Sequence, residues 1–139
     1  MIGTEAQLLH NVGRRIMRKS GLYERPGFTS GGYDWFVQVG QTKQPFHFDC
    51  AIHIEKPLAV MQRVHLREQA SVFDAVFKFR EMQREILDPD DCAAMVFADH
   101  NDLQVDEVNA AYKLLQGTGR VINLADEDEA EQSFRALAV

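Results

Sequence analysis

The sequence predicts an α/β domain: a mixed sheet flanked by helices, in the order α-β-β-β-α-β-α-β-α. Three observations carry this expectation. Apolar residues recur at helical spacing in four separate stretches of the chain. Residues 46–55 alternate between apolar and polar side chains, the period of a strand with two different faces. Beyond residue 88, short apolar runs alternate with helical patterns, as crossover units on a sheet do. The chain has 139 residues and shows no linker, repeat or low-complexity tract, so one domain over 1–139 is expected.

The first helix starts at Thr4, where Thr4 and Gln7 have the spacing of a capping box and can each satisfy an orphan N–H. Leu8, Leu9, Val12 and Ile16 follow at helical spacing. Arg14, Arg15, Arg18 and Lys19 suit the negative end of its dipole, and Gly21 supplies the C-cap. Residues 22–32, with Pro26, Gly27, Gly31 and Gly32, read as a loop. In the first strand, 33–39, Tyr33, Trp35, Val37 and Val39 share a face opposite Asp34, Phe36 and Gln38. A turn at 40–45 leads back into a second strand at 46–55. There Phe46, Phe48, Cys50, Ile52 and Ile54 point one way, and His47, Asp49, Ala51, His53 and Glu55 the other. Pro57 ends that strand, and residues 60–66 form a third.

Ser71 and Asp74 have capping-box-like spacing at the start of the second helix. Val72, Phe73, Val76, Phe77, Met82 and Ile86 trace its apolar stripe, and Asp88-Pro89 stops it. Residues 93–98 read as a buried strand. Asp102 caps a third helix carrying Val105, Val108, Tyr112 and Leu115, closed by Gly117. Residues 120–124 form a further strand, and 126–137 a final helix with Ala130, Phe134 and Leu137 inward.

The net charge of −6 hides an asymmetry: 12 Lys/Arg against 9 Asp/Glu over residues 1–87, but 3 against 12 over 88–139. A nucleic-acid backbone is repelled by the second part, and approaches only through the basic end of the first helix, Arg14, Arg15, Arg18 and Lys19. No apolar run reaches the ~18 residues that span a bilayer, so no membrane contact is expected. The first residues, broken by Gly3, Glu5 and Gln7, carry no signal-peptide pattern. The expected compartment is the cytoplasm, with Cys50 and Cys92 as buried thiols.

Asp49, His53 and Glu55, with His47, form a polar row on one face of the second strand. Carboxylates and imidazoles ligate divalent metals, and a bound metal activates water. In a simple hairpin register Asp34 approaches this row near Glu55, giving the two carboxylates a Mg²⁺ site needs. The competing reading is the solvated face of an antiparallel sheet, and a one-residue slip would turn Asp34 away. Asp99-His100-Asn101-Asp102 fits a turn and a helix cap. Gly117-Thr118-Gly119 lacks the lysine of a phosphate loop and follows a helix instead of preceding one.

Glu5 within Gly3-Thr4-Glu5, Tyr33-Asp34, Phe48-Asp49 and Leu66-Arg67-Glu68-Gln69 resemble, over about residues 3–99, the corresponding stretches of the restriction-endonuclease-like nucleases. The resemblance implies a nuclease-like fold, with Asp34, Asp49, Glu55 and Lys56 as catalytic residues and Mg²⁺ as cofactor. In that superfamily a carboxylate-x-lysine helps to activate the attacking water. Here Ala51 stands where the lysine belongs if Asp49 is the acid, and Pro57 if Glu55 is, with Lys56 one position early. In length, acidity and a helix–three-strand–helix opening the chain also resembles small acidic secretion chaperones, from which the helix at 102–116 departs.

Each catalytic set lacks a member. The expected function is therefore a non-catalytic binding or adaptor domain acting through protein–protein contacts, without a cofactor, its partner another protein or a second copy. The alternative is a metal-dependent nuclease, or a degenerate nuclease-like domain, acting on nucleic acid.

Overall fold

In the computed structural model, which describes residues 4–139, the chain is α/β with four helices and a five-stranded mixed sheet. Helix α1 (Glu5–Ser20) begins and ends as its sequence dictates. Thr4 and Gln7 form the reciprocal capping box, and Gly21 closes the helix in the left-handed region at φ 84°. Gly3 lies outside the described residues.

Five strands, not three, separate α1 from the second long helix. Strand β1 (Phe28–Thr29) falls inside the expected loop and pairs with β4 (Cys50–Ile54). Strands β2 (Tyr33–Val39) and β3 (Thr42–Phe48) form a two-stranded hairpin of their own. The expected strand at 46–55 is thus broken at Asp49, with β3 in the hairpin and β4 in the main sheet. The break changes which way the side chains point. Phe46 and Phe48 enter one core with Ala51, whereas Cys50 and Ile52 enter the other. A continuous strand would have kept Phe46, Phe48, Cys50 and Ile52 together.

Strand β5 (Lys56–Arg63) starts earlier than its apolar pattern implied and runs through Pro57. It returns antiparallel to β4 around Glu55, which sits at φ 65°, and the register shifts between Ile52 and His53. Proline is accommodated at such an irregularity because no regular ladder N–H is required of it.

Helix α2 (Gln69–Glu85) crosses to β6 (Cys92–Val96), which lies parallel to β5; helix α3 (Asp106–Gln116) then crosses to β7 (Arg120–Asn123), parallel to β6. The sheet order is β1-β4-β5-β6-β7. Helix α2 starts two residues before Ser71. The Ser71 hydroxyl accepts the His65 N–H at 3.0 Å and caps nothing. Asp102 opens a short 3₁₀ turn (Asp102–Gln104), and α3 begins only at Asp106. Helix α4 (Glu127–Ala138) starts one residue after Asp126, whose side chain caps it.

The sheet separates two cores. One holds Leu9, Ile16 and Met17 of α1 and Ala130, Phe134 and Leu137 of α4 against Cys50, Ile52, Met61 and Met95. The other holds α2, α3 and the β2–β3 hairpin against Ala51, Val60, Ala94 and Val96. All five residues of β6 are buried, as a central parallel strand covered on both faces requires. Cys50 and Cys92 are free, buried and on opposite faces of the sheet. Strand β5 lies between theirs, a separation of roughly 9–10 Å at ordinary strand spacing and beyond the reach of a disulfide.

Candidate functional site

Asp34, Asp49, His53, Glu55 and Lys56 do not converge. Asp34 pairs with His47 across the hairpin, Oδ1 to Nδ1 at 2.8 Å, and both side chains are exposed. His53 meets the edge of Tyr33, ring centroids 5.5 Å apart. Glu55 occupies the exposed turn between β4 and β5, and Lys56 opens β5, also exposed. The bulge after Ile52 and the positive φ of Glu55 dissolve the polar row that strict alternation would have made. Among the described residues no set of three or more His, Cys, Asp or Glu side chains is placed to hold a metal ion.

Asp49 behaves differently. Because β4 runs antiparallel to β5, the start of β4 lies beside the end of β5. There Oδ2 of Asp49 accepts the backbone N–H of Arg63 at 2.7 Å, and Oδ1 faces the Arg63 guanidinium at 3.4 Å. Two residues on, His65 Nδ1 lies 3.4 Å from Oε2 of Glu5, at the start of α1. Two acid–base pairs, Asp49–Arg63 and Glu5–His65, therefore stand at the C-terminal end of β5. Arg67 continues the series by pairing with Asp102 at 3.2 Å. Asp99 and Asp102 each accept the other's backbone N–H, which closes the turn after β6. The Asp99 N–H, with Arg67 beside it, holds the Asp102 carboxyl below the usual carboxylate range. Arg63 and His65 did not stand out in the sequence, where they are polar residues within a short strand pattern.

Lys78 also carried no sequence signal and is almost fully buried on α2. Its ammonium donates to the His47 carbonyl, pairs with Asp74 at 3.0 Å and lies 5.1 Å from the centre of the Phe48 ring. Gln62 donates to the same Asp74 at 2.8 Å. This group ties the β2–β3 hairpin to α2 and the sheet. At the basic end of α1, Arg15 pairs with Glu127 of α4, and Arg18 lies over Tyr23 at 5.6 Å. Arg14 and Lys19 are exposed beside them.

No family model, curated protein or solved structure matches the chain. What the arrangement can do rests on its own geometry. Among the described residues no helix is long and apolar enough to cross a membrane.

The outer face of α2 departs most from its sequence pattern. Phe73 and Phe77 were expected in the apolar stripe, yet each is 53% exposed, while Val72, Ala75, Val76, Phe79 and Met82 take the core. The reason is angular: residues four apart share a stripe, and the one through Phe73 and Phe77 lies outside the arc that faces the sheet. Phe77 meets Phe46 of the hairpin edge to face, centroids 5.8 Å apart. Beside Phe73, an open groove of about 550 Å³ runs between α2 and α3, with Leu66, Val108 and Leu114 on its walls and Arg67, Gln69 and Glu107 among them. As crossover helices between parallel strands, α2 and α3 run in the same direction. Arg80 and Arg84 therefore continue the exposed stripe at one end of this face, with exposed Glu85 beside them, and exposed Arg67 and Glu107 stand at the other.

Proposed function

We propose that the chain is a non-catalytic binding domain that acts through protein–protein contacts made by the outer face of α2. The observation that carries this reading is the exposure of Phe73 and Phe77 on one stripe of that helix. A phenyl side chain half in water leaves roughly 100 Å² of ring uncovered, worth about 2 kcal/mol when a partner covers it. Two such rings side by side on one helix favour a partner surface that is apolar at its centre. The mixed charges at the two ends of the face favour a rim carrying both signs of charge.

The polar end of β5 supports the same reading. Asp49 already accepts two donors from Arg63, and Glu5 is engaged by His65. A metal at Asp49 would share the carboxylate with the Arg63 guanidinium, which faces Oδ1 at 3.4 Å and repels a second cation.

The second reading, a metal-dependent nuclease or a degenerate relative, draws on one observation: Glu5 and Asp49 come from different elements to the same end of β5. Titration calorimetry with Mg²⁺ and Mn²⁺ separates the two. The binding-domain reading expects no heat of binding, and no difference between the wild type and Asp49→Ala. Saturable binding that disappears in Asp49→Ala would replace it with the nuclease reading.

A further inference from the structure

We infer that the free edge of β2 pairs with β2 of a second copy of this chain, joining the two hairpins into one four-stranded antiparallel sheet about a two-fold axis at Phe36. This surface is separate from the outer face of α2, and the inference stands or falls independently of that reading. Its basis is the hydrogen-bond phase of the hairpin. The two-residue turn at Gly40 and Gln41 makes Val39 and Thr42 a hydrogen-bonded pair, and Val37–Gln44 and Trp35–Phe46 follow in alternation. The N–H and C=O groups of Asp34, Phe36 and Gln38 therefore point away from β3. Among the described residues nothing hydrogen-bonds to them.

The opposite edge of the hairpin is closed. On β3 the outward carbonyl of His47 receives the Lys78 ammonium, and Pro45 has no N–H to offer. Helix α2 thus sits against β3, and β2 lies on the far side. Lys43 stands on β3 as well, and proline and lysine are common devices that keep a strand edge from pairing. Strand β2 has neither. Its one charged residue, Asp34, is held by His47, and its middle residue, Phe36, is 60% exposed.

Antiparallel pairing centred on Phe36 sets it opposite the partner's Phe36, and Asp34 opposite the partner's Gln38. Each such pair exchanges two backbone bonds, so every outward group of the three residues is satisfied. The side chains agree. All six residues on the outer face of the hairpin, Asp34, Phe36, Gln38, Lys43, Pro45 and His47, are exposed. Across the four strands the central row reads Pro45, Phe36, the partner's Phe36, the partner's Pro45. The row on either side reads His47, Asp34, the partner's Gln38, the partner's Lys43, a carboxylate and an ammonium with no like charges adjacent. On the inner face Val39, 42% exposed, comes opposite the partner's Tyr33. A slide of two residues sets Phe36 opposite a polar residue, and a slide of four sets Asp34 or Gln38 opposite itself. One patch serves as both halves, as a two-fold interface demands.

Sedimentation velocity over a dilution series and cysteine trapping test the inference on the full chain, with far-UV circular dichroism to check that each variant is folded. The wild type is expected to dimerise. Phe36→Lys, which sets two ammonium groups at the axis, is expected to raise the dissociation constant at least about tenfold. Phe73→Ser on α2 is expected to leave it unchanged. Under mild oxidation Phe36→Cys is expected to link to its own copy, since paired Cα atoms about 5.5 Å apart are within reach of a disulfide. Asp34→Cys is expected to link to Gln38→Cys in an equimolar mixture, and not to itself. The native Cys50 and Cys92 are buried and take no part. A wild type that stays monomeric throughout the series overturns the inference. So does a dimer that Phe73→Ser weakens and Phe36→Lys does not, because it forms through α2. A dimer in which Phe36→Cys fails to link, or Asp34→Cys links to itself, overturns it as well.

Discussion

Arg63 holds Asp49 twice: its backbone N–H reaches Oδ2 at 2.7 Å, and its guanidinium faces Oδ1 at 3.4 Å. The carboxylate thereby pins the chain where it leaves the hairpin and enters the main sheet. Asp49→Ala leaves the Arg63 N–H without its acceptor and is expected to cost about 1–2 kcal/mol, measured as a shift in the urea midpoint. Most of that loss is the backbone bond, because both side chains are about a quarter exposed and such a pair is weak. Asp49→Asn keeps an acceptor and is expected to lose less. Equal losses in the two variants would place the stabilisation in the charge instead.

Two phenylalanines on one helix are expected to respond oppositely to truncation. Phe79 is 1% exposed and stacks on Phe48 at 6.3 Å, so Phe79→Ala should cost about 3–5 kcal/mol. Phe73→Ser should change the stability of the monomer by about 0.5 kcal/mol or less. Thermal unfolding at low protein concentration checks both. A large loss for Phe73→Ser would mean that the ring is part of the core.

The carboxyl of Asp102 is lowered, first by the Asp99 N–H that it accepts and then by Arg67. A group lowered in the folded state stabilises above its unfolded value, about 3.9, and that stability fades as pH falls through the folded value. The stability difference between wild type and Asp102→Asn should therefore be largest near neutral pH and shrink towards about pH 3. Urea midpoints at the two pH values measure it. A difference unchanged with pH would contradict the assignment.

Burial pushes the Cys50 thiol up to about 12 and the Cys92 thiol to about 11. Thiolate is the reactive form, so at pH 8 its share is only about one part in ten thousand for Cys50 and one in a thousand for Cys92. Iodoacetamide should leave both unmodified in the native protein and label both in denaturant. Native labelling of either at its denatured rate would show that its strand opens readily.

Much of the fold is legible in the sequence because local chemistry and tertiary context agree. The capping box at Thr4, the glycine after Ser20, the wholly apolar 92–96 run and the inward set Ala130, Phe134 and Leu137 each have one good solution. The candidate site was less legible, and particular residues show why. Alternation through 46–55 is a local signal, and it cannot report that Asp49 is drawn aside by Arg63, fourteen residues away. Glu55 at φ 65° turns the chain where the sequence offers no glycine. Phe73 and Phe77 look like core in any window, since periodicity gives the apolar arc but not how much of it the sheet can cover. Lys78 is buried because a carbonyl of the hairpin and Asp74 receive its ammonium, a relation between distant segments.

The central claim is that the exposed stripe of α2 is a contact surface. The most direct measurement places a photo-reactive phenylalanine analogue at position 73 in the full chain expressed in cells, with the same analogue at exposed Gln132 of α4 as control. Irradiation is expected to yield one discrete adduct from position 73, identified by mass spectrometry as a single polypeptide, and none above background from position 132. Equal, diffuse labelling from the two positions, or none from position 73, would contradict the claim.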